Sequence, residues 1–368
     1  MTCDPFRFTD DLGPVEIVHL TERSTGLRAT VVVDNVAIGP AIGGVRMAPD
    51  VTTDECFGLA RAMTLKNSAA GLPHGGGKAV IVADPAMPDA EKESLVRAFA
   101  HAIEDIADYT PGPDMGTDER CMAWVRDEIG RAVGLPTALG GIPLDEIGAT
   151  GLGLAASIEV AAERIGMSLE GARVAVQGFG AVGRNVARFL TQRGCILIAA
   201  VDSGGGVVDH RGLDVDDLTH ANSTGTIAGL PVGEPIARDA IVGVECDIWI
   251  PAARPDVLHR DNVDQLHARI VAEGANIPAT PEAESRLHER GILVLPDFIA
   301  NAGGVICGAV EYAGGSESEA RATIDARVRA NTATMLDRAA ADGTSPRAAA
   351  TKMARERLDR AMATHRFT

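Results

Sequence analysis

Nowhere does this chain contain a run of about 18 uncharged apolar residues, so a membrane-spanning helix is not expected. The first residues, Met-Thr-Cys-Asp-Pro-Phe-Arg-Phe-Thr-Asp-Asp, lack the apolar segment of a secretory signal, and a cytoplasmic location is the expectation. Paired cysteines are also missing. Cys3, Cys56, Cys121, Cys195, Cys246 and Cys307 are scattered singly, with no C-x-x-C and no zinc spacing, so reduced thiols packed as small hydrophobes are expected and no metal site. Basic charge is scarce. A formal net charge of −17 leaves no basic face for a polyanion and argues against nucleic acid as a partner. Internal repeats and low-complexity tails are absent too.

What remains is a globular composition, 46% hydrophobic and 23% charged, over 368 residues, which suffices for two domains with their own cores. Apolar alternation predicts strands between Glu16 and Asp34, broken by a turn at Ser24-Thr-Gly26. Asp54 is a candidate N-cap for a helix running through Ala60-Arg-Ala-Met-Thr-Leu-Lys-Asn67. Ala79-Val-Ile-Val82 reads as a buried strand and Asp89 to Asp108 as an amphipathic helix. This alternation is the signature of α/β architecture.

Gly134 to Thr150 is rich in glycine and proline and reads as a linker. After it come a helix (Gly153–Arg164), the strand Arg173–Gln177, a glycine turn, a helix (Val182–Arg193) and the strand Ile196–Val201, a βαβ unit opening a second domain. Asp247–Ile250 and Arg269–Val271 read as further strands, and the chain from Ser316 onward as helical.

Two glycine clusters carry the chemistry. Gly178-Phe179-Gly180-Ala181-Val182-Gly183 follows a strand and opens a helix, and Asp202 ends the next strand, the full context of a dinucleotide fingerprint. Gly178 permits the tight turn, Gly180 lets backbone amides approach a pyrophosphate, Gly183 lets helix pack on strand, and the phosphates face the positive end of the helix. Asp202 as acceptor for the adenosine ribose favours NAD, whereas Ser203 beside it is able to donate to a 2′-phosphate, so NADP stays open. The other cluster, Gly75-Gly76-Gly77, reads as a turn that brings backbone close to a ligand beside Lys78, with Lys66 twelve residues upstream. Amine oxidation needs a cation to anchor the substrate carboxylate and a base for attack of water on an imine. A desolvated lysine near a second cation meets the latter need. Asp114, in a Pro-Gly-Pro-Asp turn, supplies a carboxylate for proton transfer.

With these residues in place the chain resembles the glutamate/leucine/phenylalanine/valine dehydrogenase family. The matching stretches are Gly39-Pro-Ala-Ile-Gly-Gly-Val-Arg46, Met63-Thr-Leu-Lys-Asn67, Gly75-Gly-Gly-Lys78, Gly112-Pro-Asp-Met-Gly-Thr117, Ala149-Thr-Gly151, Glu273-Gly-Ala-Asn276 and Pro296-Asp-Phe-Ile-Ala-Asn-Ala-Gly-Gly304, in the family's order across nearly the whole chain. The resemblance implies reversible oxidative deamination of an L-amino acid to its 2-oxo acid and ammonia, with hydride passed to a nicotinamide. It implies an α/β fold of the two-domain amino acid dehydrogenase type. Residues 1–140 plus about 325–368 would form the substrate-binding and oligomerisation domain, and 141–324 the Rossmann NAD(P)-binding domain. A cleft between the domains that closes on substrate, C-terminal helices returning to the first domain, and a homo-oligomer are implied likewise.

By the same resemblance Lys66 looks like the anchor of the substrate α-carboxylate, Lys78 the catalytic lysine and Asp114 the proton shuttle. Thr150, Asn276 and Asn301 look like contacts around the nicotinamide and its ribose, with Asn276 also facing substrate, while Ala252 and Ala253 keep the nucleotide crevice narrow. Gly43, Ile42 and Gly308 would line the substrate side chain. Ile42 stands where the glutamate enzymes have a lysine for the side-chain carboxylate, and Gly308 where they have a serine. His74 stands where the family has Met or Leu. Burying a carboxylate against Ile42 without a partner costs several kcal/mol, which favours an apolar or aromatic substrate. The second domain nevertheless resembles the glutamate enzymes at Asp202–Asp209 and Ile277–Ala283. Two alternatives follow: a glutamate dehydrogenase with a rebuilt carboxylate site using Arg46 or His74, or a catalytically silent regulatory paralogue.

Overall fold

A computed structural model describes residues 4–365, which divide into two compact units; Cys3 falls outside that range. The first comprises residues up to 143, Val305–Ala320 and Met353 onward; the second comprises Leu144–Gly304 and Arg321–Lys352.

The first unit is built on β1 (Glu16–Glu22), β2 (Leu27–Asn35), β3 (Ala41–Ala48), α1 (Thr53–Ala69), β4 (Gly75–Val82), α2 (Asp89–Ala102), β5 (Tyr109–Pro113) and α3 (Glu119–Ile129). Its strands form one sheet in the order β1-β2-β4-β3-β5, with β3 parallel to both β4 and β5. One face carries Val31, Val45, Ile81 and Tyr109, packed in a core with Leu95, Phe99 and Met122 of α2 and α3. The other face carries Val32 and Val80, packed on Cys56 and Ala60 of α1. The two sides use alternate residues of each strand, as a pleated sheet requires.

Several sequence expectations change here. Gly75–Gly77, read as a turn, is the start of β4. Glycine is needed there because α1 lies directly on the strand: a Cβ at Gly76 would fall 2.1 Å from the Thr64 backbone nitrogen, and one at Gly75 1.9 Å from the Asn35 carbonyl oxygen. The Pro-Gly-Pro segment before Asp114, also read as a turn, is β5, an edge strand where missing N–H groups cost no ladder. The N-cap of α1 is Thr52, whose hydroxyl accepts from the Glu55 amide, and Asp54 sits inside the first turn. The helix after Asp89 ends at Ala102, short of Asp108. Buried Asp34 locks α1 to β2: its carboxylate accepts from Arg61 Nε at 2.8 Å and from the Thr64 hydroxyl at 2.6 Å.

The second unit contains α4 (Ala149–Arg164), β6 (Arg173–Gln177), α5 (Ala181–Thr191), β7 (Ile196–Asp202), β8 (Gly205–Val208), α6 (Val215–Thr224), β9 (Glu234–Ile236), β10 (Ile248–Pro251), β11 (Ile270–Ala272), α7 (Pro281–Glu289), β12 (Leu293–Leu295) and α8 (Asp297–Ala300). Its sheet runs β12-β11-β10-β6-β7-β8-β9, parallel from β12 to β7 with an antiparallel edge. The strand order reverses beside β6, the switch point at which open α/β sheets bind ligands.

Three helices complete the chain: α9 (Gly303–Tyr312), α10 (Glu317–Asp342) and α11 (Pro346–Met362). Arg321–Lys352 belongs to the second unit, although the stretch from about 325 onward was expected with the first domain. Thr332 of α10 bonds Ser157 of α4 at 2.9 Å, Arg329 bonds Glu159 at 2.6 Å, and Arg347 of α11 bonds Glu273 at 2.6 Å. Val305–Ala320, expected with the second domain, belongs to the first. There Glu311 of α9 accepts from the backbone amides of Leu135 and Ile142, tying down part of the segment read as a linker.

Gly76 and Gly58 give opposite expectations. Gly76→Ala should destabilise by about 3 kcal/mol or more, because backbone of α1 and β4 must separate. Gly58 is exposed within α1, where a Cβ meets nothing within 4 Å. Gly58→Ala should stabilise by about 0.5–1 kcal/mol through helix propensity. Urea unfolding midpoints of the two variants measure both, and a neutral Gly76→Ala would contradict the close approach.

Candidate functional site

The register of the first sheet assembles the site on its α1 face. β3 pairs with β4 as Ile42↔Gly76 and Arg46↔Val80, and with β5 as Ile42↔Thr110 and Gly44↔Gly112. Ile42, Gly44 and Arg46 therefore share a face with Gly76, Lys78 and Val80 and with Thr110, Gly112 and, just past β5, Asp114. In its row Lys78 has Val32 of β2 on one side and, toward Asp114, Gly44 of β3 and then Gly112 of β5, so no side chain stands between it and the end of β5. Gly44 also makes room for Asp114, whose Cβ would lie 2.7 Å from a Cβ at Gly44.

Lys78 Nζ contacts Asp114 Oδ1 at 2.6 Å, and Arg46 Nε contacts Asp114 Oδ2 at 2.7 Å. The lysine side chain is 5% exposed and the aspartate 21%. Burial pushes the Asp114 carboxyl up, but the Lys78 and Arg46 cations outweigh it and hold it below the usual carboxylate range. The partner found at the Lys78 ammonium is this carboxylate. The Asp114 backbone is fixed as well: its amide donates to the Thr117 hydroxyl, which donates to the Val45 carbonyl at 2.7 Å.

Lys66 lies half-buried in the last turn of α1. The neighbouring Asn67 donates to the Gly75 carbonyl at 2.6 Å, fixing this end of the helix against β4. The Gly43 carbonyl accepts from the Tyr109 hydroxyl, and a Cβ at Gly43 would fall 1.7 Å from the Gly77 oxygen, so sheet packing alone requires glycine there. Ile42 is buried. Gly308 is on α9, where an added Cβ would meet only Val133 Cγ2, at 3.8 Å. One turn further along, Tyr312 stacks edge-on against His74 with ring centroids 5.1 Å apart. The His74 ring is buried, its Nδ1 has no hydrogen-bond partner, and burial lowers its pKa against a raising contact from Pro40 backbone.

In the second unit the glycine fingerprint has the expected shape. Gly178 has φ 95°, and a Cβ there would lie 2.6 Å from the Ala253 Cβ, so Ala252 and Ala253 press on the turn. A Cβ at Gly183 would fall 1.9 Å from the Gly178 oxygen, whereas one at Gly180 would meet no atom of the chain. Phe179 is buried in the turn, Gly180 caps α5, and Ala181 and Val182 form its first turn. This is a cradle of free backbone amides at a helix N-terminus, suited to phosphate. Two buried acceptors beyond it, Gln177 Oε1 and Asn301 Oδ1, have no partner within the chain. The donor and acceptor set fits a dinucleotide.

Asp202, expected to accept from the ribose, already has partners in its own chain. Its carboxylate accepts from Gly204 N, the Thr226 hydroxyl, Ile227 N and, at 3.4 Å, Asn222 Nδ2. Four donors of its own chain occupy both oxygens, so its first task is to close the turn after β7. Against the effect of burial, these donors hold its pKa below the ordinary value. Ser203 is exposed beside it. Thr150 lies inside the first turn of α4, which is capped by Gly148.

Asn301 donates to Asn276 Oδ1 at 3.1 Å and to the Gly274 carbonyl at 3.2 Å, joining two residues expected to act together. A network not anticipated from the sequence supports them. Glu273, fully buried, accepts from the Asp297 amide, and Asp297 accepts from the Ile277 amide. Ile277 is β-branched yet has φ 49°, a strained conformation next to Asn276. Arg347 meets Glu273, Glu284 and Asp297 together. The Glu273-Gly-Ala-Asn276 and Pro296-Asp297 motifs held Glu273 and Asp297, but nothing in the sequence pointed to Glu284 or to Arg347, 74 residues from Glu273.

Among the described residues no group of three or more His, Cys, Asp or Glu side chains is placed to hold a metal, and no helix is long and apolar enough to cross a membrane. Cys56, Cys121, Cys195, Cys246 and Cys307 are free and buried. Burial pushes the Cys56 and Cys246 thiols up to about 12.

Comparison with known proteins agrees with this geometry. The family model described as Glutamate/Leucine/Phenylalanine/Valine dehydrogenase matches residues 140–366, and the Glu/Leu/Phe/Val dehydrogenase dimerisation domain matches residues 15–131. An NADP-specific glutamate dehydrogenase of Saccharolobus shibatae is 40% identical, covering 76% of this chain and 69% of that protein. An NAD-specific glutamate dehydrogenase of Staphylococcus aureus is 39% identical, covering 84% and 77%. The hetero-hexameric glutamate dehydrogenase of Thermus thermophilus, solved in a Leu-bound form, superposes with a TM-score of 0.86 at 34% identity, covering 95% of this chain and 89% of its own.

The Glu273 network has a pH signature. Burial raises the Glu273 carboxyl well above the usual range, Asp297 and Glu284 add to the rise, and Arg347 opposes it. A folded pKa above the unfolded one means stability that is complete below the unfolded value and lost as pH rises through the folded one. Wild-type Tm should therefore fall with rising pH above the ordinary carboxylate range, and Glu273→Gln should flatten that fall. Parallel curves would contradict a protonated Glu273. Arg347→Met, which leaves the acids without their cation, should lose about 3–5 kcal/mol.

Proposed function

The chain belongs to the glutamate/leucine/phenylalanine/valine dehydrogenase family, and from that premise we propose that it catalyses NAD(P)-dependent, reversible oxidative deamination of an L-amino acid with an apolar or aromatic side chain. The observation that carries the reading is the Lys78–Asp114 contact, made across the side-chain-free Gly44 of the first sheet.

Bound NAD(P) supplies the hydride acceptor, and the second unit offers it the Gly178–Gly183 cradle, Thr150, Asn276, Asn301 and the Ala252–Ala253 wall. The rest is the work of the first unit. Lys66 anchors the α-carboxylate. Asp114, ionised, takes a proton from the substrate ammonium so that an amine with a free lone pair loses hydride from Cα. Once Asp114 has released that proton to bulk water and is ionised again, a proton passed to it from Lys78 across their 2.6 Å contact leaves a neutral amine, which deprotonates the water attacking the imine. Asp114 then gives its proton to the carbinolamine nitrogen, ammonia leaves as the C=O forms, and the hydroxyl proton passes to the emptied carboxylate.

Substrate choice rests on the far wall. A γ-carboxylate needs a cation, and the two candidates are otherwise engaged. Arg46 is bound to Asp114 and Glu55, and burial keeps His74 toward its neutral form. Ile42 and the open space at Gly308 favour a branched or aromatic group. The names of the relatives favour glutamate instead, and that second reading requires a cation brought to Ile42 from elsewhere. The cofactor is open between NAD and NADP, since relatives of both kinds are equally similar. Assembly into an oligomer through the first unit is proposed from the matched dimerisation domain.

NADH or NADPH consumption with ammonia and a panel of 2-oxo acids tests the activity. Lys78→Ala should lower kcat by about 10²–10⁴-fold while cofactor affinity stays within about twofold. A variant retaining more than about a tenth of kcat would remove Lys78 from the chemistry. Ile42→Lys should raise the relative kcat/KM for 2-oxoglutarate by more than about tenfold, and adding Gly308→Ser should raise it further. An unchanged ratio would mean that Ile42 does not face the substrate side chain.

A further inference from the structure

Arg46 has no role in the steps above, yet it makes the second contact to the proposed proton carrier. It projects from β3 on the same face as Ile42 and Gly44, with its side chain 17% exposed. Its guanidinium bridges two carboxylates: Nε meets Asp114 Oδ2 at 2.7 Å and one terminal nitrogen meets Glu55 Oε1 at 2.7 Å. Glu55 is held in turn at the N-terminus of α1, where its amide donates to the Thr52 hydroxyl at 3.1 Å. The arrangement is therefore a chain of fixed contacts from a helix cap, through Glu55 and Arg46, to Asp114.

The terminal torsion of an aspartate is broad, and a single contact from Lys78 would leave the carboxylate plane free to turn. A second donor on the other oxygen removes that freedom. We propose that Arg46 is a positioning residue for the reaction, acting through Asp114: its Nε–Oδ2 contact fixes the carboxylate plane so that Oδ1 is presented to Lys78. The proposal rests on the role given to Asp114 under the proposed function.

The groups facing this carboxylate set the electrostatic consequence. Lys78 comes from β4 and Arg46 from β3. Glu55 and the Cys56 thiol come from α1, while the Tyr109 hydroxyl of β5, on the other face of the sheet, is near enough to interact with the carboxylate through charge alone. Burial raises both Cys56 and Tyr109, so neither adds charge at neutral pH. Lys66 lies eleven residues beyond Glu55 on α1, which returns it to the same helical face three turns away. Glu55 partly offsets the Arg46 cation, but it lies on the far side of the guanidinium from Asp114. Removing Arg46 thus takes away one of two cations that favour ionised Asp114, and proton affinity at Asp114 must rise.

Four variants test the inference by kcat, KM and pH profile in the deamination direction: Arg46→Gln, Arg46→Lys, Asp114→Asn and the Arg46→Gln/Asp114→Asn double variant. Arg46→Gln should lower kcat by about 10–100-fold with amino acid KM changed less than about threefold, and should move the acid limb of kcat/KM to higher pH. Arg46→Lys, which restores charge without the planar fork, should return the acid limb toward wild type while recovering kcat only in part. In the Asp114→Asn background Arg46→Gln should have little further effect, the mark of residues acting as one unit. Losses that multiply in the double variant would make Arg46 a scaffold residue and overturn the proposal. An unmoved acid limb in Arg46→Gln would do the same, as would a raised KM at unchanged kcat, which would make Arg46 a substrate ligand. A fully active Asp114→Asn would overturn the role of Asp114 itself, and this inference with it.

Discussion

One contact organises the first unit: the ammonium of Lys78 on β4 against the carboxylate of Asp114 just past β5, reaching each other across β3 and nearly closed off from water. A buried pair of this kind is retained only when further contacts compensate both charges. Here Arg46 takes the second oxygen and Glu55 takes the remaining side of Arg46, so charge alternates outward until it reaches the more exposed rim. The glycines follow from the same requirement. Gly44 admits Asp114, Gly112 flanks the lysine row, and Gly76 lets α1 close over the strands. A site of two long polar groups at the middle of a sheet needs neighbours without side chains, which explains why this stretch is so rich in glycine.

The second unit solves a different problem. Its ligand-facing parts are backbone amides at the start of α5 and amide side chains on loops, groups that need holding more than they need charge. The holding is done by buried Glu273 and Asp297 and half-buried Arg347, next to the Asn276 and Asn301 loops. Ile277 keeps an unfavourable φ there, and its amide is held by the Asp297 carboxylate. Strain of this kind is a mark of functional loops, because a relaxed backbone would not present Asn276 in the same place.

Much of this was legible in the sequence. The strand–glycine–helix pattern around Gly178 and the apolar alternation of β2 obey local rules that structure rarely overrides. Other parts were not. Gly75–Gly77 has the composition of a turn, and only the packing of Thr64 on Gly76 makes it a strand. The prolines around Gly112 read as a turn because the sequence does not say which strand will lie at a sheet edge. Asp202 stood at the expected spacing for a ribose acceptor, but the donors that engage it come from residues up to 25 positions away. The partners of Arg46 were hidden for the same reason, as was Arg347 altogether: an arginine declares its partner only once the chain has folded.

Ancestry and pocket speak separately here. Relatives at about 40% identity are named glutamate dehydrogenases, while the side-chain wall proposed above consists of Ile42, Gly308 and a His74 that burial keeps toward its neutral form. Fold and catalytic pair are shared across such a family, and specificity resides in the few side chains that meet the variable part of the substrate. The most direct measurement is the ratio of kcat/KM for 4-methyl-2-oxopentanoate and phenylpyruvate to that for 2-oxoglutarate, with the wild-type protein, ammonia and reduced cofactor. A ratio above one for either apolar acid is the predicted result. A clear preference for 2-oxoglutarate would contradict the account and require a cation at the far end of the pocket.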